Sequence, residues 1–262
     1  MNPPPGQRPP LVDDQFRDRQ RQIAADLRAL ILSGDIAPGE QLPSTDQLVK
    51  RYGVNNLTVQ RALRALKAEG TIEARQGVGM FSTMRRPYVV RASHYPKPAP
   101  AGEAYPWISD AARRQRKGSS QLIEVGEVPA PAQPAAAFGI AKGDPVVLRH
   151  QILSLDGEPA ELVWSYYPVD IARGTQLTEH RLIKGGTPRL LTDLGFPPRR
   201  AVDQVSPRMA TVEEFVALRL PADLPVLRQF RVVFSDDKRP VEATVIVTAG
   251  HLYEAQYVLP EE

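Results

Sequence analysis

Residues 31–82 read ILSGDIAPGEQLPSTDQLVKRYGVNNLTVQRALRALKAEGTIEARQGVGMFS. Apolar residues recur at intervals that give this stretch a common inner face: Leu42, Leu48, Val54, Val59, Leu63 and Leu66. Polar side chains between positions 55 and 64 are left pointing outward. The stretch therefore predicts a small helical unit whose outer surface is suited to a polar partner.

Local signals mark the ends of two helices inside this stretch. Ser44 followed by Gln47 has capping-box spacing, and it predicts a short helix that closes near Gly53. Asn55 or Asn56 is placed to cap the helix that follows, because a side-chain oxygen there can accept a free backbone N–H group. Two short helices joined by a tight turn are expected.

The second of these helices covers residues 57–69, and a hairpin of residues 71–75 and 79–83 with a glycine-containing tip comes after it. A further helix over residues 16–33 precedes the stretch. This order is that of a winged helix-turn-helix, in which the third helix enters the major groove of DNA and the hairpin lies along the backbone or minor groove.

Length and composition limit the alternatives. A chain of 262 residues has room for two domains. It contains no cysteine, which excludes disulfides, thiolate metal sites and cysteine catalysis. We find neither a signal-peptide pattern nor an apolar run long enough to span a membrane, so a cytoplasmic protein is expected.

Charge is divided between the two halves of the chain. Residues 1–119 carry 19 Lys and Arg against 11 Asp and Glu, an excess of +8, whereas residues 120–262 carry 14 against 19, an excess of −5. A basic front and an acidic back are typical of a chain whose first half binds a polyanion.

The domain boundaries follow from changes in pattern. Residues 1–15 are proline-rich and are expected to be a disordered tail, and residues 16–83 form the DNA-binding domain. Residues 84–119, rich in proline and basic residues, are expected to be a linker with one helical piece at residues 108–117. Residues 120–262 form the second domain.

Alternating apolar residues predict four strands in the second domain: residues 146–154, 159–167, 225–235 and 240–249. Two helices interrupt them. Thr187 with Pro188 at the first helical position marks one start, and Thr211 with Glu214 at capping-box spacing marks the other. Strands and helices arranged in this way predict an α+β domain with an antiparallel sheet.

Several motifs in the front half carry a family resemblance. The runs GDIAPGEQLPS, YGV, TVQRALRALKAEG and RQGVG resemble the GntR family of bacterial transcriptional regulators. Family members place arginines early in the second helix and on the third helix, where this chain has Asp46, Asn56 and Gln60. The resemblance therefore implies an operator-binding protein with fewer arginine contacts than usual.

Candidate DNA contacts combine this resemblance with side-chain chemistry. Asn and Gln can bond adenine bidentately, Arg can bond guanine, and exposed backbone amides can hold phosphates. The candidates are Ser44, Thr45, Asn55, Asn56, Thr58, Gln60, Arg61, Gln76 and Gly77, and Thr58, Arg61, Gln76 and Gly77 are preferred. Each has a purely structural alternative as a cap, a solvated helix face or a turn residue.

The second half resembles the UTRA ligand-sensing domain of the HutC subfamily. The likeness lies in LIEVGEVPAP, in AFGIAKGDPVVLRHQILSLDGEPAELVWSYYPVDIARGTQL, in GGTPRLLTDLGF and in PVEATVIVTAGHLYEAQYVLP. It implies a chorismate-lyase-like antiparallel sheet with helices and a small-molecule cleft. It also implies that five residues bind the effector: Arg149, Ser165, Tyr167, Arg208 and Glu242.

Strand alternation independently places polar residues on shared faces. Glu161, Ser165 and Tyr167 share a face of one strand, and Arg149 shares a face with Gln151 on another. Arginines at positions 149 and 208 are suited to a carboxylate or phosphate, so the effector is expected to be anionic. Gln151 stands where several family members have a second basic residue, which argues against a phosphorylated effector.

An enzyme of chorismate-lyase-like fold acting on a small carboxylate is the main alternative. No histidines stand at metal-ligand spacing, and neither a serine elbow nor a phosphate-binding loop appears, so we expect no metal, no cofactor and no catalytic residues. An architectural DNA-binding protein would not need the second domain. The sequence thus predicts a homodimeric, ligand-responsive regulator, most simply a repressor, whose partners are double-stranded operator DNA and a small-molecule effector, with no membrane.

Overall fold

The computed structural model describes residues 12–83, 88–91, 106–113, 115–220 and 224–256. The chain forms two compact units, Met1–Pro87 and Tyr88–Glu262, which we call the front and rear domains. The described residues between 88 and 119 therefore lie in the rear domain, although the sequence predicted a linker there. In the described part of the chain no helix is both long and apolar enough to cross a membrane.

The front domain has three helices and a hairpin. They are α1 Val12–Leu32, α2 Thr45–Tyr52, α3 Asn56–Ala68, β1 Ile72–Arg75 and β2 Gly79–Ser82. All agree with the predicted elements to within one or two residues except α1, which begins at Val12. The predicted disordered tail is thus wrong for residues 12–15, and its earlier part lies outside the described residues.

Both predicted helix caps form. The Ser44 hydroxyl accepts from the Gln47 amide while the Gln47 side chain accepts from the Ser44 amide, and Gly53 ends α2 in the left-handed region. Asn55, rather than Asn56, caps α3. Five of the six apolar residues in the predicted series are buried, and Val54 is half-buried at the edge of that core.

Side-chain bonds tie the front helices together. Arg28 of α1 bonds both carboxylate oxygens of Glu69 at 2.7 and 2.8 Å, which fixes the end of α3. The Tyr52 hydroxyl donates to Asp26 at 2.5 Å, and burial together with this bond raises the pKa of Tyr52 to about 12. Tyr52 therefore remains a neutral donor that fixes α2 against α1.

The rear domain is built on six strands: β4 Gly118–Pro129, β5 Pro145–Leu155, β6 Glu158–Pro168, β7 Arg200–Met209, β8 Pro225–Phe234 and β9 Pro240–Ala249. They form one antiparallel sheet of order β4-β5-β6-β9-β8-β7. The four predicted strands are the inner four. The two edge strands, β4 and β7, were not predicted, because neither has a fully buried residue and both therefore carry a weak apolar signal.

A second, two-stranded sheet pairs β3 Tyr88–Arg91 in parallel with β10 Tyr253–Gln256. The rear helices are α4 Pro106–Arg113, α5 Ala132–Phe138, α6 Val169–Ala172, α7 Gly186–Asp193 and α8 Val212–Ala217. The capping box of Thr211 and Glu214 is confirmed. The predicted cap at Thr187 is wrong, because α7 begins at Gly186, two residues before Pro188, and its cap is Gly185, whose φ of +76° favours glycine.

The two faces of the six-stranded sheet differ in chemistry. Cross-strand neighbours share a face, and one row crosses five strands as Arg149, Ser165, Thr244, Arg231 and Asp203. We call the face that carries this row the polar face. The opposite face packs apolar residues against α5 and the segment after α8: Val146, Leu148, Leu162, Val226, Val247, Leu218 and Leu220.

Candidate nucleic-acid interface and ligand cleft

Helix α3 presents one continuous outer stripe. Five residues at positions i, i+1, i+4, i+5 and i+8 face away from the core, and all but the half-buried Gln60 are exposed: Asn56, Leu57, Gln60, Arg61 and Arg64. The opposite side of the helix is buried in the core of the front domain. The stripe therefore offers amide and guanidinium groups together, as base-edge recognition in the major groove requires.

Asn55 and Thr58 at the start of α3 bond each other. The Asn55 Oδ1 atom accepts from the Thr58 amide at 2.9 Å and from the Thr58 hydroxyl at 2.8 Å. Thr58 is only 4% exposed. Its predicted role as a preferred base contact is therefore wrong, because its hydroxyl and methyl lie inside the domain.

The N-terminal ends of α2 and α3 are linked by a side-chain bond. The Gln60 Nε2 atom donates to the Thr45 hydroxyl at 3.2 Å, and the neighbouring Ser44 is engaged in its cap. Asp46 is exposed in the first turn of α2. Ser44 and Thr45 thus form a polar rim beside the stripe, and the bond of Thr45 to Gln60 joins the two.

The hairpin of β1 and β2, which we call the wing, has an exposed tip of Gln76, Gly77 and Val78. Gly77 has a φ of +71°, which only glycine adopts readily. Gln41 donates through Nε2 to the Val78 carbonyl at 2.7 Å, and its backbone bridges to β2. The tip is therefore held in one position.

Sequence reasoning missed two groups of this surface. Gln41 gave no signal, because its contact with Val78 joins positions 37 residues apart. Val78 is 59% exposed and Leu57 is 53% exposed, so both add apolar area to a polar surface. The position of Val78 between two glycines at the hairpin tip was the one signal available for it.

In the rear domain, Arg149 is 1% exposed, and its guanidinium donates to backbone carbonyls. Nη1 donates to Gln176, Leu177 and Glu179 at 3.3, 3.0 and 2.9 Å, and Nη2 donates to Arg181 at 2.6 Å. The predicted effector contact thus holds the segment of residues 176–181 against the sheet.

Ser165, Thr244 and Glu242 form a hydrogen-bonded chain beside Arg149. The Thr244 hydroxyl donates to Glu242 at 2.7 Å, so the Ser165 hydroxyl, 3.0 Å away, donates to Thr244. Tyr167 is fully buried near them, and its hydroxyl has no partner at normal hydrogen-bond geometry. Burial and the nearby Glu242 raise the pKa of Tyr167 well above its ordinary value, so the hydroxyl stays protonated.

Arg208 does not join this group. It pairs across the sheet with Val226 of the opposite, apolar face, and it bonds Glu214 of α8 with two contacts of 2.6 Å. Burial by itself would raise the pKa of Glu214, but the bonds from Arg208 and Thr211 lower it instead. The prediction that Arg208 binds the effector with the other four residues is therefore wrong. Side chains alternate between the two faces along a strand, and position 208 of β7 is on the face opposite to the polar face.

The polar face carries further groups that were not included among the predicted effector contacts. Arg231 bonds both carboxylate oxygens of Asp203 at 2.7 Å, and Glu161 accepts from the Thr248 hydroxyl. Burial raises the pKa of Glu161 to about 7, against the opposing effects of Arg231 and Thr248. Asp203 could not have been placed from sequence, because it lies on the unpredicted edge strand β7.

The histidine and carboxylate side chains of the described residues do not form a metal site. No group of three or more His, Asp or Glu side chains converges on a point within the residues that the structure describes. His150 instead stacks on Trp164, with ring centroids 4.6 Å apart, and burial lowers its pKa. This histidine is a packing residue of the sheet.

Two protein-family models match the chain. The model described as "UTRA domain" matches residues 113–254, and the model described as "Bacterial regulatory proteins, gntR family" matches residues 19–81. The first match covers more than half of the chain, and the two follow one another along it.

Relatives and solved structures agree with these matches. An uncharacterized HTH-type transcriptional regulator of Streptomyces coelicolor is 28% identical over 90% of this chain and 91% of its own length. The transcriptional regulator PhnF of Escherichia coli is 28% identical over 91% and 94%, and the transcriptional repressor NagR of Bacillus subtilis is 23% identical over 88% and 90%.

Two crystal structures share the fold. A GntR-family transcriptional regulator superposes with a TM-score of 0.63 at 24% identity, covering 94% of this chain and all of that one. PhnF from Mycobacterium smegmatis gives 0.58 at 20% identity, covering 92% and 100%. At these identities the two structures show the arrangement of the chain and nothing about its ligands.

Proposed function

Because the chain belongs to the GntR family of bacterial transcriptional regulators, in its UTRA-domain or HutC branch, we propose that it represses transcription from an operator and is released by a small-molecule effector. The front domain is a DNA-binding helix-turn-helix and the rear domain is an effector domain of this family. The chain is a regulator and not an enzyme, since its relatives along nearly their whole length are transcriptional regulators.

The outer stripe of α3 supports the operator-binding proposal more directly than any other observation. Asn56, Gln60 and Arg61 would meet base edges in the major groove, with amides suited to adenine and the guanidinium suited to guanine. Gln76 and Gly77 at the wing tip and the rim residues Ser44 and Thr45 would contact phosphates, which position the protein without reading sequence.

Two further parts of the proposal concern assembly and direction of control. A single winged module reads few base pairs, so a homodimer on a two-fold symmetric operator is the expected form. The repressor assignment is supported by the relative NagR, which is named as a repressor. Binding to chromosomal DNA would place the protein in the cytoplasm.

The polar face of the rear sheet supports the effector proposal. Buried hydroxyl and carboxylate groups at Ser165, Thr244, Glu242 and Tyr167 converge there, and a few convergent polar groups in an apolar surrounding are typical of a small-molecule cleft. The effector would bias a two-state equilibrium, which the segment between the domains would pass on to the DNA-binding domain. It must prefer one state by about 1–3 kcal/mol.

Operator binding is tested with Arg61→Ala. The full chain is titrated against fluorescent DNA from upstream of its own gene, and against an unrelated duplex of equal length. We expect Arg61→Ala to weaken specific binding by about 5- to 150-fold, equivalent to about 1–3 kcal/mol. The matched control Lys67→Ala, exposed in the last turn of α3, should change affinity little. Equal affinity of the wild type for both duplexes would contradict operator recognition.

Effector control is tested by screening metabolites for release of the bound DNA from the full chain. A compound that releases DNA and raises the melting temperature supports the proposal. Turnover of such a compound would instead favour the lyase-like enzyme alternative.

A further inference from the structure

The arginines closest to the proposed cleft are already bonded within the protein. Arg149 donates to four backbone carbonyls, and Arg231 makes a two-point pair with Asp203. Arg208 lies on the other face of the sheet with Glu214. None of these three guanidinium groups is arranged to receive a ligand anion.

An anionic effector would therefore have to break internal bonds. Displacing Arg149 would leave buried carbonyls of residues 176–181 without donors, which is unfavourable in a protein interior. The neighbouring Gln151 adds no positive charge, and its Oε1 atom already accepts from the Ser120 hydroxyl at 2.8 Å. The polar face is thus poorly suited to a phosphate or carboxylate.

Acceptor groups are better placed on the same face. Glu161 and Ser165 are on the same face of β6, four positions apart, so they are separated by about 13 Å at the usual rise of a strand. Glu161 is half-buried, so part of its surface stays accessible on this face. Burial keeps its pKa near 7, and a cation or a strong donor would favour its ionised form.

The floor between these two ends is apolar. Val163 and Ile246 are cross-strand neighbours, and they separate the Ser165 and Thr244 hydroxyls from Glu161 and Thr248. Beyond Ser165 lies the buried Tyr167 hydroxyl, which interacts with the side chains of Ser165 and Thr187. The face therefore fits a ligand with a short apolar middle and a hydrogen-bond donor at the end that meets Glu161.

From this arrangement we infer that the effector is a neutral or cationic molecule that donates hydrogen bonds, not a phosphate or carboxylate, and that Glu161 determines its recognition. The inference rests on the proposed function, since it names the chemistry of the same cleft. An amine and a polyol would both meet this description. Both carry a hydrogen-bond donor that can be directed at Glu161.

The charge of the effector is tested with a metabolite extract of cells that carry this protein, used as the probe. The extract is separated on an anion exchanger and then a cation exchanger at pH 8, and each fraction is assayed for release of operator DNA from the full chain. We expect the releasing activity to pass the anion exchanger. Retention on the cation exchanger would indicate an amine, and passage through both columns a polyol.

Activity retained on the anion exchanger would overturn the inference while leaving the proposed function intact. Absence of activity from the unfractionated extract would overturn the proposed function, and the inference with it. The two failures are therefore distinguishable in one assay.

The role of Glu161 is tested with Glu161→Gln against the matched control Glu158→Gln, an exposed position at the start of the same strand. We expect Glu161→Gln to need at least 10-fold more of the active fraction for half-release while its operator affinity stays unchanged. Glu161→Asp, which keeps the carboxylate, should fall between it and the wild type and serves if the glutamine variant does not fold. An unchanged response of Glu161→Gln, or of Glu161→Asp if that variant is used instead, would overturn the assignment of Glu161.

Discussion

The bond between Asn55 and Thr58 allows the structural and the DNA-contacting roles of Asn55 to be separated. Asn55→Ala removes the oxygen that caps the Thr58 amide and also accepts from the buried Thr58 hydroxyl. Loss of a cap costs about 1 kcal/mol. The hydroxyl left without a partner costs about 1 kcal/mol more. Together they predict a loss of about 2 kcal/mol in the stability of α3, or about 30-fold in amide protection.

The second variant in this test reverses part of the loss. In Asn55→Ala/Thr58→Val the hydroxyl is absent, so only the cap is lost, and the double variant should be about 1 kcal/mol more stable than Asn55→Ala. Thr58→Val alone should change stability by less than about 1 kcal/mol, because the exposed Asn55 keeps its bond to the amide. Hydrogen exchange of α3 peptides in the full chain, referenced to the rear sheet, measures each value.

A double variant less stable than Asn55→Ala would refute this reasoning, since it would mean that the Thr58 hydroxyl stabilises the fold without Asn55. Asn55→Ser completes the test, because serine also caps helices. If it keeps the stability of α3 and loses operator affinity, the amide of Asn55 contacts DNA as the sequence predicted. If both are retained, Asn55 acts only as a cap.

Three further variants probe other parts of the molecule. Arg28→Met should lower the exchange protection of α1 and α3 by the equivalent of about 1–2 kcal/mol, because it removes a two-point, partly buried bond to Glu69. Arg208→Met should lower the free energy of unfolding of the rear domain by about 2–3 kcal/mol, because it leaves the buried Glu214 carboxylate without a cation, while the DNA release by effector stays unchanged. In the folded wild type the Glu161 carboxyl keeps its proton up to about pH 7, so the free energy of unfolding should fall by at most about 3 kcal/mol as the pH rises from 4.5 to 7. Glu161→Gln cannot ionise and should not show this fall. Melting temperatures of both proteins at several pH values measure the difference.

The elements of the front domain could be predicted because their signals are local. A capping box lies within four residues, and a helix period or hairpin tip within a few more, so Ser44, Asn55 and Gly77 each took the expected place. The inner strands of the rear sheet followed for a similar reason. In a buried strand, apolar residues either alternate with polar ones or follow one another without interruption. The predicted bounds of the four inner strands agree with those of the structure to within one residue.

The edge strands show how one missed element alters a functional assignment. Faces alternate along a strand, so the side to which Arg208 points depends on recognising β7 and its register with β8. Without that strand, Arg208 was grouped with Arg149, and Asp203 was not considered. The register reverses both assignments, because Asp203 lies in the same row as Arg149 while Arg208 pairs with Val226 on the other face.

The two candidate sites differ in how far periodicity alone can describe them. On α3 the proposed contact residues are exposed, so the helical period alone identifies them without knowledge of the rest of the fold. The prediction for Thr58 is wrong because Thr58 lies on the buried side of the same helix. In the cleft the residues are buried, and their chemistry depends on partners far away in sequence. Arg149 has the right charge for an anion and the right face, yet carbonyls 27 to 32 positions along the chain occupy its donors. For a buried polar group the partner decides the function, and only the fold supplies the partner.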